Sequence, residues 1–411
     1  MFWNKQRLLI FFFFAAIQSE LILLPKSLLT NQSLPSSSSS SSVYLCYLYQ
    51  LKNSKEIYLR NYEIVNPDEN RAYIHHLLVY ECSIDKQVSY AGLCGMYNVQ
   101  TMPKLIYQSC QTRIIIAWAK GGQLTTKYPE QTGLKLQPNT QFLLEVHFEP
   151  LVLSNHSIGI NLEYYPSNEI PRHEIGVLTL GTLAKSPMYL PPRLTSIEFP
   201  TYCFHDCLQL FMKNLSTIRI FSILVHAHKR ARRIHLYDDT FRTIIDRNPF
   251  VYHRQEMFYF RKPYPTIQSS NQLTLICSYS TENDFNQPIL GGYNSNDEMC
   301  QAFLYYYPKI AHFPFCLSVP LYPNRTKIDF HSQEQSLIMK KQLDSNRYHL
   351  SMCGDNLYSN ETIFHMKIYQ HSKRYSSFSI HYYSSFYVVF LCFSFVTCYL
   401  IIKQKKLTFF F

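Results

Sequence analysis

The sequence predicts an all-β protein of tandem β-sandwiches, stapled by disulfides and ending in a membrane-spanning helix. Three observations carry this. Tyr (33) and Phe (29) are abundant while Gly is scarce at 11, a composition that suits sheet better than helix. Short apolar or alternating segments recur between turn signals with no sustained 3.6-residue period. Ten cysteines lie between two apolar terminal stretches. With 411 residues and 46% apolar content the chain can fill two or three cores, which excludes global disorder. The net charge is +11, yet no basic run interleaves with aromatics as a nucleic-acid surface requires.

Residues 1–19 read as a secretory signal, with Lys5 and Arg7, an apolar run from Leu8 to Ile17, and the small residues Ala15 and Ala16. Residues 20–43 follow as a lead-in of low complexity, with serines from Ser36 to Ser42. From Tyr44 the strand-like segments begin: VYLCYLYQL, AYIHHLLVYEC, RIIIAWA, QFLLEVHF, IGINLEYY, EIGVLTLGTL, RIFSILVHAH, ARRIHLYD, QLTLICSYS and AFLYYYP. A proline-bearing break from Pro166 to Pro171 divides them into halves at 44–170 and 171–356. A spacer at 357–381 leads to an uncharged stretch at 382–402, near the ~20 residues a span needs, and a basic tail at 403–411 carries Lys403, Lys405 and Lys406. Positive residues favour the cytoplasmic side, so the expectation is a type I single-pass protein of the secretory pathway, in the endoplasmic reticulum, a secretory vesicle or the cell surface, with its bulk lumenal or extracellular. A buried C-terminal strand is the competing reading, because Ser384, Ser385, Ser394 and Thr397 dilute the apolar stretch.

Sequons at Asn31, Asn155, Asn214, Asn324 and Asn360 agree with this route as glycosylation sites. So do the cysteines. Cys392 and Cys398 fall in the expected span, and an even set remains: Cys46, Cys82, Cys94, Cys110, Cys203, Cys207, Cys277, Cys300, Cys316 and Cys353. A cytosolic zinc site built on Cys203 and Cys207 would lack a second closely spaced pair.

Three histidine placements carry the chemistry. His75 and His76 are adjacent in one strand-like segment, which sends them to opposite faces unless a bulge intervenes or they use different ring nitrogens. His147 shares a strand face with Glu145, while Leu144, Val146 and Phe148 face the other way. His226 and His228 point the same way at i, i+2 spacing, which suits chelation. A satisfied structural histidine is the competing reading for each, above all for His147. Burying two imidazoles without partners is costly, however. With thiolates committed to disulfides, the ligands left are His, carboxylate or Met, and imidazole with thioether favours copper over zinc.

The segments YIHHLLVYEC, LEVHFEP, LVHAH and LTLICSYSTENDFNQPILGGYNSNDEMCQAFLYYYP resemble the copper type II, ascorbate-dependent monooxygenases, and most closely their dopamine-hydroxylase branch. The resemblance runs from about Tyr44 to Cys353. It implies two tandem antiparallel jelly-roll-like β-sandwiches facing each other across a wet cleft. It implies two copper ions, with ascorbate as reductant and O2 as co-substrate: His75, His76 and His147 on an electron-transfer copper, and His226, His228 and Met299 on an oxygen-activating copper. It also implies the pairs Cys46–Cys94, Cys82–Cys110, Cys203–Cys316, Cys207–Cys353 and Cys277–Cys300.

The family pattern departs at three places. Leu77 and Tyr80 stand where it has Met and, further on, Phe; Arg219 replaces a His before Phe221; and His228-Lys229-Arg230-Ala231 replaces a turn that begins with Gly. The upstream DOMON domain of the dopamine-hydroxylase branch is not expected in the residues before Tyr44. The function implied is hydroxylation of an aliphatic C–H bond in a small catecholamine- or phenylethylamine-like substrate. The alternatives are peptide α-hydroxylation of the amidating type, or a copper-binding membrane protein without activity.

Overall fold

The computed structural model describes residues 18–30, 42–65, 73–84, 87–94, 102–110, 113–149, 157–183, 188–285, 287–321, 332–345, 348–354, 363–368, 376–380, 387–392 and 398–403. It is a mostly β protein with few helices, as its Val, Ile, Tyr and Phe content dictates.

The first half has two sheets. In one, the strand Gln141–Phe148 lies between Val43–Gln50 and Ile74–Cys82, with Tyr90–Leu93 and Ile114–Ala119 at the edges. The other runs Gln18–Leu23, Gly159–Tyr164, Ile57–Val65, Thr132–Leu136, His173–Glu174, with Thr125–Lys127 added to Ile57–Val65. Leu45, Leu77 and Leu144 of one sheet and Ile22, Leu59 and Ile160 of the other share one core. In the second half a nine-stranded sheet, which includes Thr217–His226, Gln301–Tyr307 and Gly176–Thr182, packs on a four-stranded sheet of Ile197–Cys203, Leu273–Tyr279, Ala231–Asp238 and Thr243–Arg247. Among the described strands, pairing is antiparallel except for two parallel contacts, His173–Glu174 on Thr132–Leu136 and Gly176–Thr182 on Phe315–Leu321.

The two cores are joined. On Thr217–His226, Ile218, Ile220, Ile223 and Val225 fill the second core while Phe221 and Leu224 reach the first. An irregularity between Ile220 and Ser222 flips the strand's alternation, so that beyond it Ser222, Leu224 and His226 face the first half. Gln301–Tyr307 does the same with Phe303 and Tyr305.

Several expected boundaries move. Gln18–Leu23 pairs with Gly159–Tyr164, and a helix at Lys26–Thr30 buries Leu28 and Leu29, so folded structure starts inside the expected signal and lead-in. The physical reason is that Ile22, Leu24, Leu28 and Leu29 bury their apolar side chains in the first core. His173 and Glu174 lie past the proline break yet pair with the first half's sheet. The expected spacer at 357–381 contributes the strands Ile363–Ile368 and Ser376–Ile380 to the nine-stranded sheet. Within 382–402, where a spanning helix was expected, Tyr387–Cys392 pairs antiparallel with Cys398–Lys403. Among the described residues no helix is long and apolar enough to cross a membrane. The β-branched and aromatic residues of YVVFLC and CYLIIK favour strand over helix.

Among the described residues five disulfides close: Cys46–Cys94, Cys82–Cys110, Cys203–Cys316, Cys207–Cys353 and Cys277–Cys300. They are the pairs that the resemblance implies. Among the sequons, Asn214 is exposed in a turn; Asn31, Asn155, Asn324 and Asn360 lie outside the described residues, as do residues 1–17 of the expected signal.

Candidate metal centre

Strand register brings the first three histidines together. Tyr44 and His76 flank His147 on the two neighbouring strands. A register shift between Ile74 and His76 supplies the bulge that adjacent histidines need to reach one point. His75 Nδ1 lies 3.2 Å from His76 Nδ1 and 3.1 Å from His147 Nδ1. The face of Gln141–Phe148 that carries Glu145 and His147 is buried as completely as the opposite one.

His226 is the last residue of its strand, and His228 stands beyond it, just ahead of a turn at 229–230, so the HxH pair is not within one strand as the sequence suggests. One ring nitrogen each of His75, His226 and His228 lie within 4.8 Å of one another, and so do one each of His75, His76 and His147. The expected wet cleft between two separate centres is therefore closed. All five imidazoles form one cluster with exposures from 0% to 5%, and His75 belongs to both triads. Apolar residues of both halves merge at the interface, which explains the closure.

The cluster has the chemistry of a soft-metal site. Nε2 of His75, His147, His226 and His228 is buried with no hydrogen-bond partner. Burial, followed by the neighbouring histidines, holds His75 and His147 well below the usual imidazole range. Burial does the same to His228, and it brings His76 and His226 down to about 3. Neutral rings with free nitrogen lone pairs are the form in which histidine binds a metal. The orientation of the second pair is set from behind: Nδ1–H of His226 donates to Gln255 Oε1 at 2.8 Å, and Nδ1–H of His228 donates to the Asp297 carbonyl at 3.1 Å. Both rings keep Nε2 for a ligand.

The turn that departs from the family pattern is firmly held. Glu298 accepts the backbone N–H of His228 at 3.0 Å and that of Arg230 at 2.6 Å. Arg230 grips Asp284 through two bonds of 2.7 and 2.6 Å. Burial pushes the Glu298 carboxyl up to about 8 against these donors. Met299 follows Glu298 directly, is buried, and is tied by Tyr279, whose hydroxyl donates to its carbonyl at 2.6 Å. Cys300 comes next and is bonded to Cys277. Thus the loop that carries Met299 is locked to the turn that follows His228.

Sequence reasoning missed the residues that support the ligands. Gln255, Tyr252 and Tyr44 carry no motif. Tyr44 stacks on His147 at 3.9 Å and its hydroxyl donates to the Tyr293 carbonyl in the other half. Tyr252 stacks on His75 at 5.0 Å and donates to Glu149. Lys229 lies 3.0 Å from Glu149 across the interface. Glu298 had a readable signal, its position beside Met299. A further grouping of Cys46, Cys94 and Glu145 offers no metal site, since the two sulfurs are bonded to each other.

Comparison with known proteins gives the same ordering of halves. Residues 28–153 match the N-terminal domain, and residues 173–325 the C-terminal domain, of the copper type II ascorbate-dependent monooxygenases. Dopamine beta-hydroxylase of Bos taurus is 28% identical over 279 residues, covering 65% of this chain and 44% of that protein. DBH-like monooxygenase protein 1 of Gallus gallus is 28% identical over 296 residues, covering 68% and 46%. The chain spans less than half the length of these curated relatives. Among solved structures, dimeric latent PorU from Porphyromonas gingivalis is 10% identical with a TM-score of 0.19, covering 69% of this chain and 27% of that one, too slight a likeness to bear on the fold. Matched in both halves and in order, the chain belongs to the copper type II ascorbate-dependent monooxygenase family of oxidoreductases.

Proposed function

We propose that the chain is a copper- and ascorbate-dependent monooxygenase that hydroxylates an aliphatic C–H bond of a small phenylethylamine-like molecule. The observation that carries this is the buried set of neutral imidazoles, four of which hold Nε2 without a partner. In this reading His75, His76 and His147 hold one copper, and His226, His228 and Met299 a second. Bound copper would supply one-electron redox chemistry with O2. One oxygen atom enters the substrate and the other leaves as water, with two electrons and two protons drawn from ascorbate.

The protein's own residues do the rest. Gln255 and the Asp297 carbonyl fix the tautomers of His226 and His228. Tyr44 and Tyr252 wall the cluster with aromatic faces and help exclude water from it. A substrate reaches the buried rings when the halves part at the Lys229–Glu149 and Tyr44–Tyr293 contacts. The disulfides support an oxidising setting, in the lumen of the secretory pathway or outside the cell. The likeness to dopamine beta-hydroxylase supports the ring-amine substrate class.

The test incubates the copper-loaded full chain with ascorbate, O2 and a panel of phenylethylamines, tyramine and a glycine-extended peptide, with products read by mass. A ring amine heavier by one oxygen is the expected outcome. Oxidation of the peptide alone would move the chain to the amidating type. No product from a chain holding both coppers would overturn the catalytic reading for these substrates.

A further inference from the structure

Glu145 lies between two residues of the neighbouring strand. Register sets Glu145 opposite Leu78, His147 opposite His76 and Leu143 opposite Tyr80, so the carboxyl meets His76 on one diagonal and Tyr80 on the other. One oxygen is 3.3 Å from His76 Nε2; the other accepts the Tyr80 hydroxyl at 3.2 Å. All three side chains are buried, with exposures of 5%, 1% and 3% for His76, Glu145 and Tyr80.

This contact separates His76 from the other four histidines. Those bury Nε2 with no partner, whereas Nε2 of His76 is occupied. His76 therefore has Nδ1 left for a ligand, and that atom faces Nδ1 of His75. A buried carboxyl is costly without donors. Here the Tyr80 hydroxyl donates to one of its oxygens, and Nε2 of the His76 ring faces the other. A phenylalanine in place of Tyr80 would leave the second oxygen without this hydroxyl.

We propose that Tyr80 and Glu145 are positioning residues for the first copper: the Tyr80 hydroxyl holds the Glu145 carboxyl, the carboxyl takes Nε2–H of His76, and the ring thereby presents Nδ1 to the metal. The inference rests on the two-copper reading above. Partners of this kind typically change metal affinity by about 10- to 100-fold.

The test measures Cu(I) affinity at each site by chelator competition, together with the Cu(II) electron paramagnetic resonance spectrum. It uses the full chain and the variants Tyr80→Phe, Glu145→Leu and Glu145→Gln. Tyr80→Phe removes a hydroxyl and keeps the ring, so its fold is retained. The expected result is one site weakened about 10- to 100-fold in Tyr80→Phe and Glu145→Leu with its resonance parameters changed. The other site stays at parental affinity, and Glu145→Gln, which can still accept from Nε2–H, recovers most of the loss. Parental affinities and spectra in Tyr80→Phe and Glu145→Leu would overturn the proposal, and so would equal weakening of both sites with a lowered Tm, the mark of a purely structural role. A parent chain that binds no copper would instead overturn the copper reading itself.

Discussion

At the residue scale, the chemistry depends on which nitrogen each imidazole keeps free. Gln255 illustrates this: its Oε1 accepts Nδ1–H of His226, while its own amide N–H donates to the carbonyls of Ala227 at 3.2 Å and Tyr252 at 2.9 Å. Gln255→Leu should leave Nδ1–H buried without an acceptor, which destabilises by about 1–3 kcal/mol. It should also weaken copper at the His226 and His228 site by about 10- to 100-fold. Chelator competition on the variant checks this, and unchanged affinity at both sites would remove Gln255 from the ligand support. The candidate ligands themselves were legible, since doubled and alternate histidines stand out in apolar segments. Gln255 was not, because a lone glutamine in VYHRQEMF carries no periodic signal and acquires its role only when the chain folds it under His226.

At the scale of elements, the loop from Leu290 to Met299 shows how a flexible sequence becomes a fixed presenter. Leu290 accepts the N–H of Glu298 at 2.9 Å, Gly292 donates to the Glu298 carbonyl at 3.2 Å, and Cys300 is bonded to Cys277 on the strand Leu273–Tyr279. A Cβ at Gly292 would come within 2.1 Å of an Asp297 carboxylate oxygen, so the Asp297 side chain would have to move. Replacing Cys277 and Cys300 together by Ser should cost about 2–5 kcal/mol. It should also release the copper nearer Met299 first on heating. Metal release followed alongside thermal unfolding tests this, and simultaneous loss of both ions would show that the disulfide does not serve the second site. The strands were legible from their residue types, and the adjacent His75 and His76 already called for a bulge, but the bulge at Ile220/Ser222 was not legible, since one extra residue leaves composition unchanged and alters only which face each side chain takes.

For the whole molecule, burying five imidazoles ties stability to pH. Their pKa values lie far below the ordinary 6.5, so below that pH the unfolded chain binds more protons than the native one. Stability is then lost on acidification, by about 1.4 kcal/mol per pH unit for each histidine. Glu145 and Glu298 act in the opposite sense: held up to about 8 by burial, they bind protons in the native state between pH 4.5 and 8. Within the buried cluster the five imidazoles outweigh the two carboxyls below 6.5, and above it the carboxyls remain, so the cluster's contribution to stability also declines as pH rises towards 8. The copper-free chain should therefore have its highest Tm near pH 6.5, with lower values at pH 5 and pH 8. A Tm that rises steadily or stays flat across that range would show that the imidazoles are solvated in solution and that the closed arrangement does not persist without metal.

By itself the sequence determined the sheet-forming character of the chain, the even cysteine set and the candidate ligand types, because each is a property of residue identity and local spacing. Only tertiary structure decided that the two histidine sets share one buried cluster through His75, that Glu145, Gln255 and Glu298 support it, and that residues from Gln18 onward and the strands near the C-terminus belong to the sheets. Those outcomes depend on contacts between segments far apart in the chain and on which faces the closing halves desolvate, and no local pattern encodes either.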